Sequence, residues 1–169
     1  MVQRISFHIA TAVFDLLLLV ASVSTMLIPA WHIPSLNIGR ARLISYELGY
    51  ISFMGTLYMT VLVSFERYMS ICRGIEFTIK KTIICIVSVI IFAIFFNIPV
   101  FFAWELESES GRLMKTDLTC NPTFYKLYFV GANICIRILI PIPCLVGFNL
   151  SVYKEVNASY VLEKGTLSK

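Results

Sequence analysis

Thr82-Ile-Ile-Cys-Ile-Val-Ser-Val-Ile-Ile-Phe-Ala-Ile-Phe-Phe-Asn-Ile-Pro-Val-Phe-Phe-Ala-Trp104 is 23 residues without a charge. That exceeds the roughly 20 residues an α-helix needs to cross a hydrocarbon core. It shows no polar alternation at period two, which argues against a strand of a membrane barrel. Working outward, three more runs have the same character: Ile5 to Ile28 with one acid (Asp15), Leu43 to Phe65 with one acid (Glu47), and Leu127 to Tyr153 with one cation (Arg137). The stretches between them, Pro29 to Arg42, Arg67 to Lys81 and Glu105 to Lys126, are short and polar, and residues 154–169 form a hydrophilic tail. The expected fold is an all-α membrane protein with four transmembrane helices at about 5–28, 43–65, 82–104 and 127–153.

Composition excludes the other classes. With 58% apolar residues, 14% charged residues and a mean hydropathy of +0.82, the chain fits neither a soluble domain nor a disordered one. Five cysteines over 169 residues do not make a disulfide framework, and Cys72, Cys85, Cys135 and Cys144 lie in or beside apolar runs. The net charge of +4 comes from Lys and Arg placed between those runs, so no basic face exists and nucleic acid is not an expected partner. The first run carries Asp15 and lacks a small-residue cleavage site, so it reads as a retained helix rather than a signal peptide. One side of the four spans holds Arg4, Arg67, Arg73, Lys80, Lys81, Lys154, Lys164 and Lys169. The other holds Arg40, Arg42, Arg112, Lys115 and Lys126, and this bias puts both termini in the cytoplasm.

Ionisable residues inside a span cost several kcal/mol unless they face other helices or water, which makes Asp15, Glu47 and Arg137 informative. Asp15 lies about 15 Å in from the inner end of its span by helical rise, and Thr56, eleven residues before Arg67, reaches a similar depth. The two describe either a cation or proton site, or a protonated acid hydrogen-bonded between helices. Arg137 stays charged at any accessible pH. It calls either for Glu47 as a partner within the bundle or for the acidic group of a ligand. Phe65-Glu66-Arg67-Tyr68 stands at the inner end of the second run. An acid beside an arginine at a membrane boundary can pair and release, or can simply anchor the helix end. His8 and His32 fall about 36 Å apart by helical rise and cannot share a metal. No phosphate loop or activated nucleophile is present, so the chain is not expected to be an enzyme or to hold an organic cofactor.

In chain order, these segments resemble helices two to five of the rhodopsin-like seven-transmembrane G-protein-coupled receptors, specifically the invertebrate FMRFamide-type neuropeptide receptors. Ala12-Val-Phe-Asp15-Leu-Leu-Leu-Leu resembles the second helix with its central acid, and Trp31 in Pro29-Ala-Trp-His resembles the first outer-loop tryptophan. Val63-Ser-Phe-Glu66-Arg67-Tyr68-Met-Ser-Ile-Cys72 resembles the end of the third helix, Phe96-Asn97-Ile-Pro99-Val-Phe-Phe the exit of the fourth, and Ile140-Pro141-Ile-Pro-Cys-Leu-Val-Gly-Phe-Asn149 the fifth.

The resemblance implies roles. Glu66 and Arg67 form an inactive-state lock that opens toward a heterotrimeric G protein, with Tyr68 and Asn149 supporting the inner face. Asp15 and Thr56 line an allosteric sodium site. Trp31, Pro99 and Pro141 are structural, and Pro141 frees a backbone carbonyl. Tyr46, Tyr50 and Arg137 frame a peptide pocket, whose acidic rim at Glu105, Glu107, Glu109 and Asp117 suits a basic peptide. The expected location is the plasma membrane, multi-pass and embedded in lipid.

The chain departs from the family at several points. Arg42 occupies the position of a disulfide cysteine, leaving Cys120 unpaired, Gly74 replaces a proline of the second inner loop, and the fourth-helix segment has no tryptophan at mid-membrane. None of the four runs matches helices one, six or seven, and the tail is too polar to span. The expectation is therefore a partial neuropeptide receptor. Two alternatives stand beside it: a truncated, non-signalling four-span protein that pairs with intact receptors and retains them in internal membranes, and an unrelated four-span channel or transporter subunit. The Asn157-Ala-Ser159 sequon, on the expected cytoplasmic side, is idle.

Overall fold

Backbone groups in hydrocarbon find no water, so an apolar run must satisfy its own N–H and C=O groups. In a computed structural model of the chain, which describes residues 2–30, 36–106 and 113–167, all four apolar runs do so as helices. The fold is an all-α membrane architecture with four helical stretches long and apolar enough to cross a bilayer: Ile5–Leu27, Gly39–Cys72, Ile79–Phe101 and Pro122–Val161.

Helix α1 spans Val2–Ala30, α2 Leu36–Cys72 and α3 Ile79–Phe101. At 37 residues, α2 is about 55 Å long, well beyond the hydrocarbon thickness. After Pro34 no proline interrupts this segment, so Arg40, Arg42, Glu66 and Arg67 ride on the ends of one rod. α2 ends where the chain turns through Gly74, whose φ of +63° lies in the left-handed region that glycine adopts without strain. There the Met69 carbonyl accepts the N–H groups of both Arg73 (3.3 Å) and Ile75 (3.1 Å).

Between the third and fourth membrane helices lies a two-stranded antiparallel hairpin, β1 (Trp104–Leu106) and β2 (Leu113–Lys115), with Trp104 opposite Lys115 and Glu105 opposite Met114. Short helices α4 (Asp117–Cys120) and α5 (Pro122–Phe124) follow, and the Asn121 side chain caps α5 by accepting the N–H groups of Thr123 (3.0 Å) and Phe124 (3.4 Å). Two π-helical stretches, Tyr125–Ala132 and Cys135–Leu139, lead into α6 (Pro141–Leu167), which runs as helix into the hydrophilic tail.

α2 is the hub, packing against α1, α3, α6 and β1. Phe7 and Phe14 of α1, Met59 of α2 and Val89 of α3 form the buried cluster that joins the first three helices. At Gly55 the Phe14 ring lies where a methyl group would stand, so only hydrogen at that position lets α1 and α2 approach this closely. Leu16, Leu19, Phe95, Leu127 and Val146 remain exposed, giving the helices the apolar outer surface that lipid wets.

Candidate functional site

The polar residues of the spans fall into three tiers along α2, labelled outer, middle and inner in order from its N-terminus. In the outer tier, residues 42, 46, 50 and 53 lie within three turns of one helix, and the Tyr46 and Tyr50 hydroxyls are hydrogen-bonded at 3.0 Å with ring centroids 5.0 Å apart. The Tyr46 ring meets Trp104 of β1 edge-on at 5.6 Å. From the fourth span, the Arg137 guanidinium lies 4.7 Å from the Tyr50 ring centroid and 5.5 Å from that of Phe53, within cation–π range. It donates to Asn97 Oδ1 at 2.7 Å, and Asn97 is itself fixed by donating to the Ala93 carbonyl at 2.7 Å while only 1% exposed. Glu47 is buried elsewhere on α2 and does not pair with Arg137; the amide of Asn97 takes the place expected of that carboxylate.

Arg137 closes one side of a 280 Å³ cavity whose other walls include Leu18, Ser22 and Thr25 of α1 and Tyr46, Tyr50 and Phe53 of α2. A second cavity of 210 Å³, lined by Thr25, Arg42, Tyr46 and Trp104, shares Thr25 and Tyr46 with the first. Asn97 was visible in the sequence as the one amide in an uncharged span, and that isolation was the signal for its role. Glu105 and Asp117 are exposed and are not among the residues that line either cavity, whereas Trp31, Glu107 and Glu109 fall outside the described residues.

In the middle tier, Thr56 Oγ1 donates to Asp15 Oδ1 at 2.8 Å, linking α1 to α2 at the depth where the two residues were expected to meet. Carboxylate and hydroxyl oxygens suit a hard cation such as sodium in kind, but together they supply two ligands of the several it takes. Among the described residues no cluster of three metal-binding side chains exists.

Two residues further along α2, Tyr58 was not singled out by sequence and is the most informative side chain of the tier. In the π-helical stretch Cys135–Leu139 the Ile140 N–H bonds the Cys135 carbonyl, five residues back, at 3.0 Å. By the same register the Ile136 carbonyl would accept from residue 141, which is proline and has no N–H. Tyr58 Oη supplies the missing donor at 2.8 Å. Pro141, buried at the start of α6, thus frees a carbonyl, and α2 captures it. Pro99 sits inside the last turn of α3, half-buried.

In the inner tier, Glu66 is 7% exposed and Arg67 is exposed, and both line a 420 Å³ cavity with Phe7, His8, Val63, Ile71 and Val152. Tyr68 stacks on Phe148 of α6 at 5.5 Å and accepts a 3.3 Å hydrogen bond from Arg73 Nε, which holds that guanidinium's pKa above its usual value. Phe148 also meets Phe65 at 5.3 Å, so it, rather than its exposed neighbour Asn149, fastens α6 to α2.

The hairpin between α3 and the fourth span is tied to α3 by threonines. Thr116 Oγ1 donates to the Phe102 carbonyl (2.7 Å) and Thr119 Oγ1 to the Ala103 carbonyl (2.8 Å), while Cys120 is free and exposed. No known family's sequence profile matches this chain, and no curated protein matches it.

Proposed function

We propose that this chain forms helices two to five of a rhodopsin-like G-protein-coupled receptor for a neuropeptide, a multi-pass protein of the plasma membrane. The observation that carries the reading is the role of α2. One uninterrupted helix, packed by every other membrane helix, bears the wall of the outer cavity (Tyr46, Tyr50), the mid-membrane Thr56–Asp15 bond and the inner Glu66-Arg67-Tyr68 triad. A ligand that changes the packing of Tyr46 and Tyr50 against Arg137 acts on the same rod whose far end carries Arg67.

In this reading Arg67, exposed at the inner face, is the group a heterotrimeric G protein engages, and Glu66 and Tyr68 set its orientation. Asn149, exposed on α6, belongs to the same inner surface. Asp15 and Thr56 would hold a sodium ion that biases the resting arrangement, with water completing its shell.

The test is retention of purified, nucleotide-free heterotrimeric G protein on nanodiscs carrying the full chain. Arg67→Ala is expected to reduce retention at least tenfold, the scale of losing a charge-assisted contact. Arg40→Ala, exposed near the opposite end of α2, is expected to leave it within about twofold. Equal retention by empty discs, or no effect of Arg67→Ala, would overturn the proposal.

A further inference from the structure

Among the described residues two buried guanidinium donors at the two outer cavities, Arg42 Nε and Arg137 Nε, have no hydrogen-bond partner, and the Trp104 indole, hydrogen-bonded toward the Tyr46 hydroxyl, shares a wall with Arg42. No carboxylate among the described residues pairs with either arginine, and the only described side-chain acceptor on Arg137 is the neutral Asn97 amide. A buried donor left unmade costs about 1 to 3 kcal/mol, more when charged. Two cationic donors on adjoining cavities, with no orphaned acceptor beside them among the described residues, describe the complement of an anion rather than of a cation. Of the other orphaned atoms among the described residues, Thr82 Oγ1 and Asn133 Oδ1 line neither cavity.

The spacing adds a shape. Arg42 and Tyr50 are eight residues apart on α2, about 12 Å by helical rise, and Arg137 lies over the Tyr50 ring. Tyr46 and Thr25, shared by both cavities, form the wall between the two cationic ends. We propose that the paired outer cavities bind an elongated anionic ligand. One carboxylate is held by Arg42, a second by Arg137, and an apolar middle lies along Tyr46 and Tyr50. The inference rests on the outer cavity being the ligand pocket and narrows its ligand to one with carboxylates at both ends, such as a peptide with an acidic residue and a free C-terminus.

Binding is read by calorimetry on the full chain in phosphatidylcholine nanodiscs, with adipate, suberate, sebacate and dodecanedioate as probes. Octanoate and 1,8-diaminooctane serve as controls. The expected result is a maximum at suberate or sebacate, at least about tenfold tighter than octanoate, with no binding of the diamine. Arg42→Gln and Arg137→Gln are each expected to bring suberate down to the level of octanoate. Because either variant could misfold, helicity by circular dichroism is measured alongside, and the length optimum in the unaltered chain stands as an independent criterion.

Repeating the titration with phosphatidylserine in the discs separates sources. Loss of suberate binding identifies a lipid headgroup as the carboxylate donor; unchanged binding identifies a soluble ligand. A flat length series, or diamine binding equal to suberate, overturns the proposal. An Arg-Phe amide peptide that binds and is lost on Tyr46→Ala, with suberate silent, would remove the anionic ligand while keeping the pocket. Silence of every probe together with unchanged G-protein retention would remove the pocket and leave the inner face standing.

Discussion

Replacing Tyr58 by Phe removes one hydroxyl and keeps the ring that packs on Phe92 at 5.0 Å, so the substitution isolates the bond to the Ile136 carbonyl. That carbonyl has lost its helical donor twice over: the π register sends the Ile140 N–H to Cys135, and Pro141 has no N–H to offer. An ordinary interhelical hydrogen bond in a membrane is worth about 0.6 kcal/mol on average, because the separated helices find other partners. Here no alternative donor exists within the helix, so Tyr58→Phe is expected to cost about 1 to 2 kcal/mol, the range for an orphaned buried acceptor.

The reasoning has a stricter form. Pro141→Ala restores an N–H at position 141 and gives the Ile136 carbonyl a donor of its own. In that background Tyr58→Phe is expected to cost less than about 0.5 kcal/mol, a coupling of about 1 kcal/mol between residues on two helices. Unfolding in mixed detergent–SDS micelles, followed by far-ultraviolet circular dichroism for the four proteins of the cycle, gives the number. Additive effects of the two substitutions would refute the role assigned to the proline. A Tyr58→Phe variant as stable as the parent would refute the bond itself.

Gly55→Ala places a methyl in the Phe14 ring and is expected to destabilise the α1–α2 pair by about 1 to 3 kcal/mol in the same unfolding assay. Asn97→Leu removes the acceptor of the Arg137 guanidinium and is expected to cost about 1.5 to 3 kcal/mol, whereas Asn97→Asp, which supplies a charged acceptor, is expected to restore most of it. Asp15→Asn is expected to abolish any sodium-dependent rise in thermal stability while leaving helicity unchanged; a sodium effect that persists in this variant places the ion elsewhere. A Thr116→Val, Thr119→Val double variant is expected to speed hydrogen exchange in β1 and β2 by about tenfold or more while the exchange of α3 stays as it was.

The four spans were legible because burial in hydrocarbon writes itself as composition over about 20 residues and needs no knowledge of partners. The meeting of Asp15 and Thr56 was legible by the same simplicity: depth follows from counting at fixed rise, and both lie on helices without interruption between them and the inner membrane face. The reach of α2 was less visible. Arg40, Arg42 and Arg67 look like loop residues by polarity, yet a charged side chain costs a helix nothing once the helix has left the apolar core.

The partner of Arg137 and the residue that fastens α6 were not legible. Both depend on the rotation of the fourth span, and two π-helical stretches widen the turns there, so a face counted at 3.6 residues per turn drifts. Phe148 rather than Asn149 facing α2 is the visible result of such a rotation. Tyr58 was hidden for a related reason: a carbonyl without a donor is a property of the backbone register, and nothing in its own side chain, Ile136, announces it.

The threonine ties of the hairpin reach only 14 and 16 residues back along the chain, from Thr116 to Phe102 and from Thr119 to Ala103. Closing so short a loop needs no oxidant, no isomerase and no prior assembly of distant helices, and takes on the order of microseconds once α3 is in place. The ties between the hairpin segment and α3 can therefore form without a redox partner, under reducing and oxidising conditions alike. A covalent tie would bind this segment to a distant helix; the two hydroxyl bonds bind it to the end of the helix that precedes it, one of them buried and the other open to water.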